Sequence, residues 1–315
     1  MARFIADDID FAAYERGTDC QVKVRPAAAF RDDVQASFQT RDTTRGPRMG
    51  STKLRDAIEF RPGEVTCWAG YSGHRKSMFL GQVALDLCDV RQRSLIVSLE
   101  MPPRATLSRM ARQAIGSERP STEDVDGFMT WTDGALWLFD HEGRLLPDRC
   151  IAVCRYFATE LRGQHVFIDS LMKVVQSEES LDEAKRMVGD LCDVAKETGL
   201  HVHLVAHARK PSSSADGEGK PPTKYDIRGS AAVSDQCHNI VMVWQNKARR
   251  AAAASAASPK PDATAIPWDA VISIEKQRNG DTEGKFGLMF HAPSLRFIDS
   301  EHWDVDPYRM TGGMA

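Results

Sequence analysis

The stretch Glu64-Val-Thr-Cys-Trp-Ala-Gly-Tyr-Ser-Gly-His-Arg-Lys-Ser77 decides the fold of this chain. It begins with a short apolar run, passes through a glycine-bearing turn and ends in Lys76-Ser77, and an apolar helical pattern follows from Met78 to Leu87. A strand, a glycine-rich loop and a helix in this order form a phosphate-binding P-loop, in which backbone N–H groups and the helix dipole face phosphate oxygens. The pattern therefore predicts a nucleotide site at this turn.

Each residue type in this loop has a separate expected task. Lys76 is expected to neutralise the β- and γ-phosphates of ATP or another nucleoside triphosphate, and Ser77 to bind Mg²⁺. The other predicted nucleotide-binding positions are Gly70, Ser72, Gly73, His74 and Arg75. An ordinary glycine-rich turn is the alternative, because the usual G-x-x-x-x-G-K-S/T pattern has glycine where this chain has Arg75. Three consequences of Arg75 stay open. Its side chain could point outward and be tolerated, it could impair hydrolysis, or it could add positive charge beside the nucleotide.

Length and composition fit a globular protein with one large domain and an appendage, or with two modest domains. Of the 315 residues, 42% are hydrophobic and 27% are charged, which is ordinary for a soluble protein. The apolar runs are too short for a membrane span and the first residues lack a signal-peptide pattern, so we expect a cytoplasmic protein without a membrane partner. The net charge of −3 does not decide about nucleic acid, since a local basic lining can bind phosphates.

The seven cysteines lack paired spacing. Cys150 and Cys154 lie one helical turn apart with no second pair nearby, which favours apolar packing over a zinc site. We therefore expect a reduced protein.

Composition also divides the chain into three parts. Residues 1–49 form an N-terminal extension with a short helix predicted near Phe30 to Phe38 and a polar linker, and they are either partly ordered or an arm that docks on a neighbouring subunit. Residues 50–300 form the main domain. Residues 301–315 form a tail, and the last dozen are predicted to be disordered.

The main domain alternates strands and helices. Strands are predicted at Glu64–Ala69, Ser94–Ser98, Ala135–Phe139, His165–Asp169, Val202–Val205, Ile240–Trp244, Val271–Lys276 and Lys285–Phe290. Helices are predicted at Lys76–Asp89, Ala105–Ile115, Ser121–Met129, Asp148–Leu161 and Leu181–Glu197. This alternation predicts an α/β fold with a mostly parallel central sheet, helices on both faces and antiparallel strands toward the C-terminus, the layout of a P-loop ATPase core. Residues 210–224 are predicted to be a mobile loop, and residues 248–261 a solvated loop with a helical turn.

Two acidic residues follow apolar strands of this predicted sheet. Asp169 ends Val166-Phe-Ile-Asp, where a P-loop ATPase carries the acid that holds Mg²⁺. Glu100 follows the second strand and could polarise the water that attacks the γ-phosphate. Since the carboxyl ends of parallel strands meet at one edge, we expect both acids beside the P-loop, although either residue could simply begin a turn.

Four further motifs accompany the P-loop in order: Arg61-Pro-Gly-Glu-Val65, Ser98-Leu-Glu-Met-Pro102, Asp226-Ile-Arg-Gly-Ser-Ala231 and Lys276-Gln-Arg-Asn-Gly280. In order and spacing, from about Gly50 to Phe297, the set resembles the DnaB-type replicative helicases of superfamily 4. His207, within Leu204-Val-Ala-His-Ala-Arg-Lys210, is more similar to the phage primase-helicases and the mitochondrial Twinkle helicase. The resemblance implies a RecA-like core with ATP and Mg²⁺ bound between subunits of a ring, usually a hexamer.

The resemblance also implies roles for individual residues. Lys276 and Arg278 would reach a neighbour's site, with Arg278 stabilising charge on the departing phosphoryl group, and His207 would sense the γ-phosphate. Surface charge at a strand end and a structural histidine are the alternatives. Single-stranded DNA would be gripped at its backbone by one loop, with two flanking lysines: Arg228, Gly229, Ser230, Ala231, Lys210 and Lys224.

These expectations together describe an ATP-driven replicative DNA helicase that encircles single-stranded DNA and unwinds duplex. The resemblance implies 5′-to-3′ travel, and a separate primase or polymerase is a possible partner because residues 1–49 leave no room for a primase domain. Two alternatives stay open: a RecA-like recombinase, which would form filaments, and a non-translocating, ATP-switched replication clamp or loader.

Overall fold

A single sheet runs through the molecule. The computed structural model describes residues 4–5, 27–32, 35, 47–141, 145–175, 181–209, 217–254, 266–300 and 305–310. The strands are β1 (Phe4–Ile5), β2 (Val65–Gly70), β3 (Ser94–Ser98), β4 (Leu136–Phe139), β5 (His165–Asp169), β6 (His201–His207), β7 (Asn239–Gln245), β8 (Ala270–Gln277), β9 (Gly284–His291) and β10 (Arg296–Ile298). Within the described residues their order is β1-β4-β3-β5-β6-β2-β7-β8-β9-β10. Pairing is parallel from β1 to β7 and antiparallel from β7 to β10.

Helices cover both faces of this sheet. They are α1 (Lys76–Asp89), α2 (Pro103–Ile115), α3 (Thr122–Thr132), α4 (Pro147–Glu160), α5 (Leu171–Val174), α6 (Leu181–Thr198), α7 (Ser230–Gln236) and α8 (Lys247–Ala254). Helices α1, α2 and α3 share one buried apolar cluster with the sheet, whereas α4 and α6 share another on the opposite face. The predicted α/β fold, with a mostly parallel sheet and antiparallel strands toward the C-terminus, is confirmed.

Strand β2 shows why the central strands are continuous apolar runs. Val65, Cys67 and Ala69 point into the cluster with α4 and α6, and Trp68 points into the cluster with α1. Every residue of β2 is buried, because helices lie on both sides of it. Strand β2 pairs with β6 and β7 and so lies centrally, which places the loop after it at the middle of the sheet edge.

Of three expectations for irregular segments, two need correction. Mobility was predicted for residues 210–224, but Gly217–Gly219 and Lys224–Asp226 form 3₁₀ turns that bond to the core; residues 210–216, including Lys210, lie outside the described residues. The helical turn expected in residues 248–261 is confirmed by helix α8. Disorder of the tail is wrong for residues 305–310, where Tyr308 packs against the cluster around α1.

Three further expectations concern the N-terminal helix, the cysteines and a membrane span. The helix expected near Phe30 to Phe38 falls mostly outside the described residues, which show a 3₁₀ turn at Ala27–Phe30. Six cysteines of the described residues, including Cys150 and Cys154, are unpaired and buried, and no His, Cys, Asp and Glu group there has the arrangement of a metal cluster. No helix in the part of the chain that the structure describes is both long and apolar enough to cross a membrane.

Candidate active site

The loop between β2 and α1 is shaped by three backbone positions. A Cβ atom at Gly70 would lie 2.2 Å from the carbonyl oxygen of Val243 on β7, so only glycine fits this close approach. Gly73 has a φ of +74°. Arg75 is also left-handed, with φ 60° and ψ 29°, and immediately precedes α1. Glycine is the residue that ordinarily fills such a position, so the backbone has the P-loop turn although the residue differs.

Lys76 lies inside this loop rather than on its surface. Its side chain is buried, and Nζ donates to the carbonyl oxygens of Gly70 (3.1 Å) and Tyr71 (2.9 Å). Burial lowers the pKa of Lys76 to about 8, although the nearby carboxylates of Asp169 and Glu100 favour the charged form. The ammonium group is therefore held at the centre of the loop, where a phosphate chain would need a counter-charge.

Ser77 and Asp169 meet beside Lys76. Asp169 is the last residue of β5, and only 8% of its surface is exposed. Burial raises the pKa of Asp169, while a hydrogen bond with the Ser77 side chain and the charge of Lys76 lower it. A buried carboxylate next to a hydroxyl is the oxygen donor set that Mg²⁺ prefers, and a divalent cation would offset the cost of burying this charge. These two residues therefore fit the predicted Mg²⁺ site.

Glu100 follows β3 and His207 ends β6, and the two side chains approach each other across the end of β5, which lies between these strands. His207 Nδ1 lies 3.3 Å from Lys76 Nζ, and His207 Nε2 lies 3.7 Å from Glu100 Oε1. Contact with His207 and a 3.0 Å hydrogen bond from Ser170 together lower the pKa of Glu100 to about 2, against the opposing effect of burial. Sequence reasoning missed Ser170, although its position directly after Asp169 is a signal that could have indicated it.

His74 proves to be a structural member of the loop. It is fully buried, and its Nδ1 accepts from the Gln245 backbone N–H at 3.0 Å, so Nε2 carries the hydrogen and donates to Glu218 at 3.0 Å. Burial lowers the pKa of His74. Glu218 also accepts from Lys247 Nζ at 2.6 Å, and the three side chains tie the loop to α8. No signal in the sequence indicates Glu218, which lies in the segment predicted to be mobile.

The two other loop positions differ in exposure. Ser72 is exposed at the tip, whereas the Arg75 guanidinium lies 3.7 Å from the centroid of the Phe290 ring on β9. The Arg75 side chain is thus directed at β9, and its backbone remains part of the loop.

Lys276 and Arg278 lie at the opposite end of the sheet from the P-loop, where the parallel strands begin. Because β8 runs antiparallel to β7, its end at Gln277 pairs with Asn239, at the beginning of β7. Lys276 Nζ donates to the carbonyl oxygens of Ser234 and Cys237, and the exposed Arg278 donates to that of Asp235 at 2.8 Å. Both cations therefore cap the C-terminus of α7 within the same chain, a contact that complements the helix dipole.

The predicted DNA loop is joined to the nucleotide site through backbone bonds. Ala208 and Ile227 form an antiparallel bridge, and the Arg228 N–H donates to the His207 carbonyl oxygen at 2.9 Å. Gly229 has a φ of +71°, and Ser230 and Ala231 begin α7. Lys224 Nζ donates to the Glu275 carbonyl oxygen at 3.2 Å, so it is anchored to β8.

Comparisons with known proteins agree with this fold. A protein family described as "AAA domain" matches residues 52–213. One solved structure, of an isolated ATPase domain, has a TM-score of 0.71 and 16% sequence identity, with 88% of this chain and 100% of that chain covered. A DnaB-like replicative helicase, solved in a study of its interactions with primase, has a TM-score of 0.68 and 17% identity, with 88% of this chain and 68% of that chain covered. These likenesses confirm the RecA-like, DnaB-type fold that the motifs predicted.

Proposed function

The chain belongs to the AAA domain family, and from this we propose that it is an ATP-driven replicative DNA helicase, acting as a ring around single-stranded DNA. The observation that carries the proposal is the convergence of strand-end side chains at the P-loop: Lys76 lies 3.3 Å from His207, and His207 lies 3.7 Å from Glu100. Bound ATP with Mg²⁺ would supply the phosphoryl group whose transfer to water releases free energy. We expect the ring to be hexameric.

The residues at this edge divide the chemistry among them. Lys76 would bind phosphate oxygens, and Ser77 with Asp169 would hold Mg²⁺. Because the pKa of Glu100 is lowered to about 2, its carboxylate stays ionised and accepts hydrogen bonds but is a weak base. We infer that Glu100 orients the attacking water rather than removing its proton early. His207, between Lys76 and Glu100, is the group whose position would report the γ-phosphate.

Hydrolysis would be coupled to DNA through the backbone of His207. Its carbonyl oxygen accepts from Arg228, so a shift of the His207 backbone moves the loop that carries Arg228 and Gly229. The guanidinium and backbone N–H groups of this loop would grip DNA phosphates without reading sequence. Translocation from 5′ to 3′ is part of the proposal, as is trans action of Arg278 on the neighbouring site.

The domain organisation and partners follow from the same proposal. Residues 50–300 would form the motor, residues 1–49 an extension that can contact a neighbouring subunit, and residues 301–315 a tail. The DnaB-like structural neighbour was studied with primase, which supports a separate primase as a partner here. We place the protein in the bacterial or phage-infected host cytoplasm.

A forked-DNA unwinding assay tests the proposal. The wild-type chain with ATP and Mg²⁺ should displace the labelled strand, while Lys76→Ala, which lacks the phosphate counter-charge, should not. Electron microscopy of the same samples should show rings. Filaments would favour the RecA-like recombinase, and ATP-dependent assembly without strand displacement would favour the clamp or loader; either result contradicts a helicase.

A further inference from the structure

Tyr225 is the most exposed large hydrophobic side chain of the described residues. Its exposed fraction is 76%, compared with 56% for Val90 and for Leu146. It lies in the 3₁₀ turn Lys224–Asp226, three residues before Arg228. Exposing a large aromatic ring to water is unfavourable, and such rings often serve a contact. A single exposed ring is nevertheless common on protein surfaces, so its surroundings decide the inference.

The backbone on both sides of Tyr225 is fixed. The Asp226 carboxylate accepts from the Thr223 N–H at 2.7 Å and from the Thr223 hydroxyl at 2.9 Å, and the Asp226 N–H donates back to the Thr223 carbonyl oxygen at 3.0 Å. The next residue, Ile227, is fully buried. The exposed ring therefore does not belong to a frayed segment, because the turn holds its Cα in one place.

The same turn is fastened to the strand that ends in the nucleotide site. The Arg209 N–H donates to the Asp226 carbonyl oxygen at 2.7 Å, directly after the bridge between Ala208 and Ile227. His207 directly precedes this bridge. Tyr225 lies between Lys224 and Arg228, and therefore on the segment that the proposed function assigns to DNA. Any shift of His207 would carry Tyr225 with it.

Positive charge accompanies the ring. Lys224 Nζ lies 5.7 Å from the centroid of the Tyr225 ring and is anchored to the Glu275 carbonyl oxygen. Arg228 follows on the same segment. Cations that bind the backbone, together with an aromatic ring that stacks on a base, are the combination by which proteins bind single strands without sequence preference.

We propose that Tyr225 is a stacking platform for one nucleobase of the single strand bound at Arg228 and Gly229. The proposal rests on the proposed function and adds to it a contact with a base, where the loop otherwise offers only groups for phosphates. Every base has a π-face, so the contact tolerates any sequence. It requires the base itself, however, and not only the sugar-phosphate chain.

Fluorescence anisotropy with two oligonucleotides of equal length separates bases from phosphates. One is an oligo-dT and the other carries abasic sites throughout, and the full chain is measured on both with a non-hydrolysable ATP analogue. The wild-type chain should bind the dT strand more tightly. Tyr225→Ala should weaken binding to dT about tenfold and leave binding to the abasic strand unchanged, whereas Tyr225→Phe keeps the ring and should match wild type. Leu146→Ala, an exposed apolar residue elsewhere, is the matched control.

The outcomes distinguish this inference from the function on which it rests. Failure of the wild-type chain to bind either strand would overturn both. Tight wild-type binding that Tyr225→Ala leaves unchanged on dT would overturn the inference alone. So would an equal loss on both strands, or a changed assembly state in analytical ultracentrifugation, because Tyr225 would then be a contact between protomers.

Discussion

Arg75 shows how a single residue can depart from a motif and keep its geometry. A non-glycine residue in the left-handed region costs about 1 to 2 kcal/mol. Its guanidinium lies 3.7 Å from the Phe290 ring centroid, and a cation–π contact of this kind contributes about 0.5 to 2 kcal/mol. The two effects offset each other, so the loop can hold its turn at a position where glycine is usual.

The first prediction concerns Arg75→Gly. We expect its ATPase rate to rise about two- to fivefold, because glycine adopts the left-handed turn without strain and releases the loop from β9. A steady-state assay beside wild type measures it; a large fall would show instead that the arginine is useful. A double-mutant cycle with Phe290→Leu, followed by denaturant unfolding, should give a coupling energy of about 0.5 to 2 kcal/mol.

A second residue-scale prediction concerns Glu100→Gln. We expect the ATPase rate to fall about 100-fold or more, because the amide cannot orient water as a carboxylate does. Nucleotide affinity should stay near wild type, since Lys76, Ser77 and Asp169 are unchanged. A fluorescent ATP analogue and single-turnover hydrolysis measure the two quantities separately. An undiminished ATPase rate in this variant would contradict the proposal that Glu100 orients the attacking water.

At the scale of elements, the strands that carry the site were predictable from sequence. The predicted bounds of Ser94–Ser98 and His165–Asp169 agree with β3 and β5 residue for residue. Each is an apolar run of five residues that begins and ends with a polar residue, and such a short run between predicted helices favours a strand buried on both faces. The rule that parallel strands share a carboxyl edge then brought Glu100 and Asp169 to Lys76, whose pKa responds to both carboxylates.

Elements that depend on distant partners were not predictable in this way. Helix α7 has seven residues and no apolar periodicity, and its C-terminus is held by Lys276, which is 42 residues away from Ser234 in sequence. Glu218 likewise is fixed by residues distant in sequence, its carboxylate by His74 and Lys247 and its carbonyl oxygen by Trp244. A short helix or turn forms little structure alone, so tertiary contacts rather than local pattern determine it.

The C-terminal segment supplies an element-scale prediction. The Tyr308 hydroxyl donates to Asp86 Oδ1 at 2.5 Å, and burial raises the pKa of Asp86 to about 6. Tyr308→Ala should lower the free energy of unfolding by about 2 kcal/mol, because packing and a buried hydrogen bond are both lost. Tyr308→Phe keeps the ring and should lose only about 1 kcal/mol. Urea unfolding measures both, and wild-type stability in both variants would mean that the segment contributes nothing.

At the scale of the whole molecule, three buried histidines make stability depend on pH. His165, His201 and His203 lie on β5 and β6, and burial lowers the pKa of each, that of His201 to about 4. The folded protein keeps them neutral, whereas the unfolded chain takes up protons below a pH of about 6.5. The free energy of unfolding therefore decreases as the pH falls.

We accordingly expect acid to destabilise the fold. Well below pH 6.5 the free energy of unfolding should fall by about 1.4 kcal/mol per pH unit for each histidine that stays neutral in the folded state. Urea unfolding at a series of pH values from about 7.5 to 5 measures the slope. His165→Gln removes one titrating group and should reduce that slope, and a slope equal to wild type would contradict the assignment.

The direction of β8 separates Arg278 from the P-loop of its own chain. Gln277 pairs with Asn239, which pairs with Thr66 near the start of β2, whereas Lys76 follows the end of β2. A six-residue strand spans about 20 Å, which is beyond the reach of an arginine side chain. If Arg278 acts on a nucleotide, it must therefore act in a second copy. Arg278→Ala should abolish DNA-stimulated hydrolysis and spare nucleotide binding.

Mixing two inactive variants tests that requirement directly. In a ring formed from Lys76→Ala and Arg278→Ala chains, some interfaces combine an intact Lys76 from one chain with an intact Arg278 from the next, so DNA-stimulated ATPase activity should reappear. Lys76→Ala mixed with Glu100→Gln is the matched control, because both residues belong to the same half of the site and no interface becomes complete. If mixed rings assemble but ATPase activity returns in neither mixture, action in trans is contradicted. If activity returns in both mixtures, Lys76 and Glu100 would not belong to the same half of the site, and neighbouring subunits would supply more than Arg278 to each other's sites.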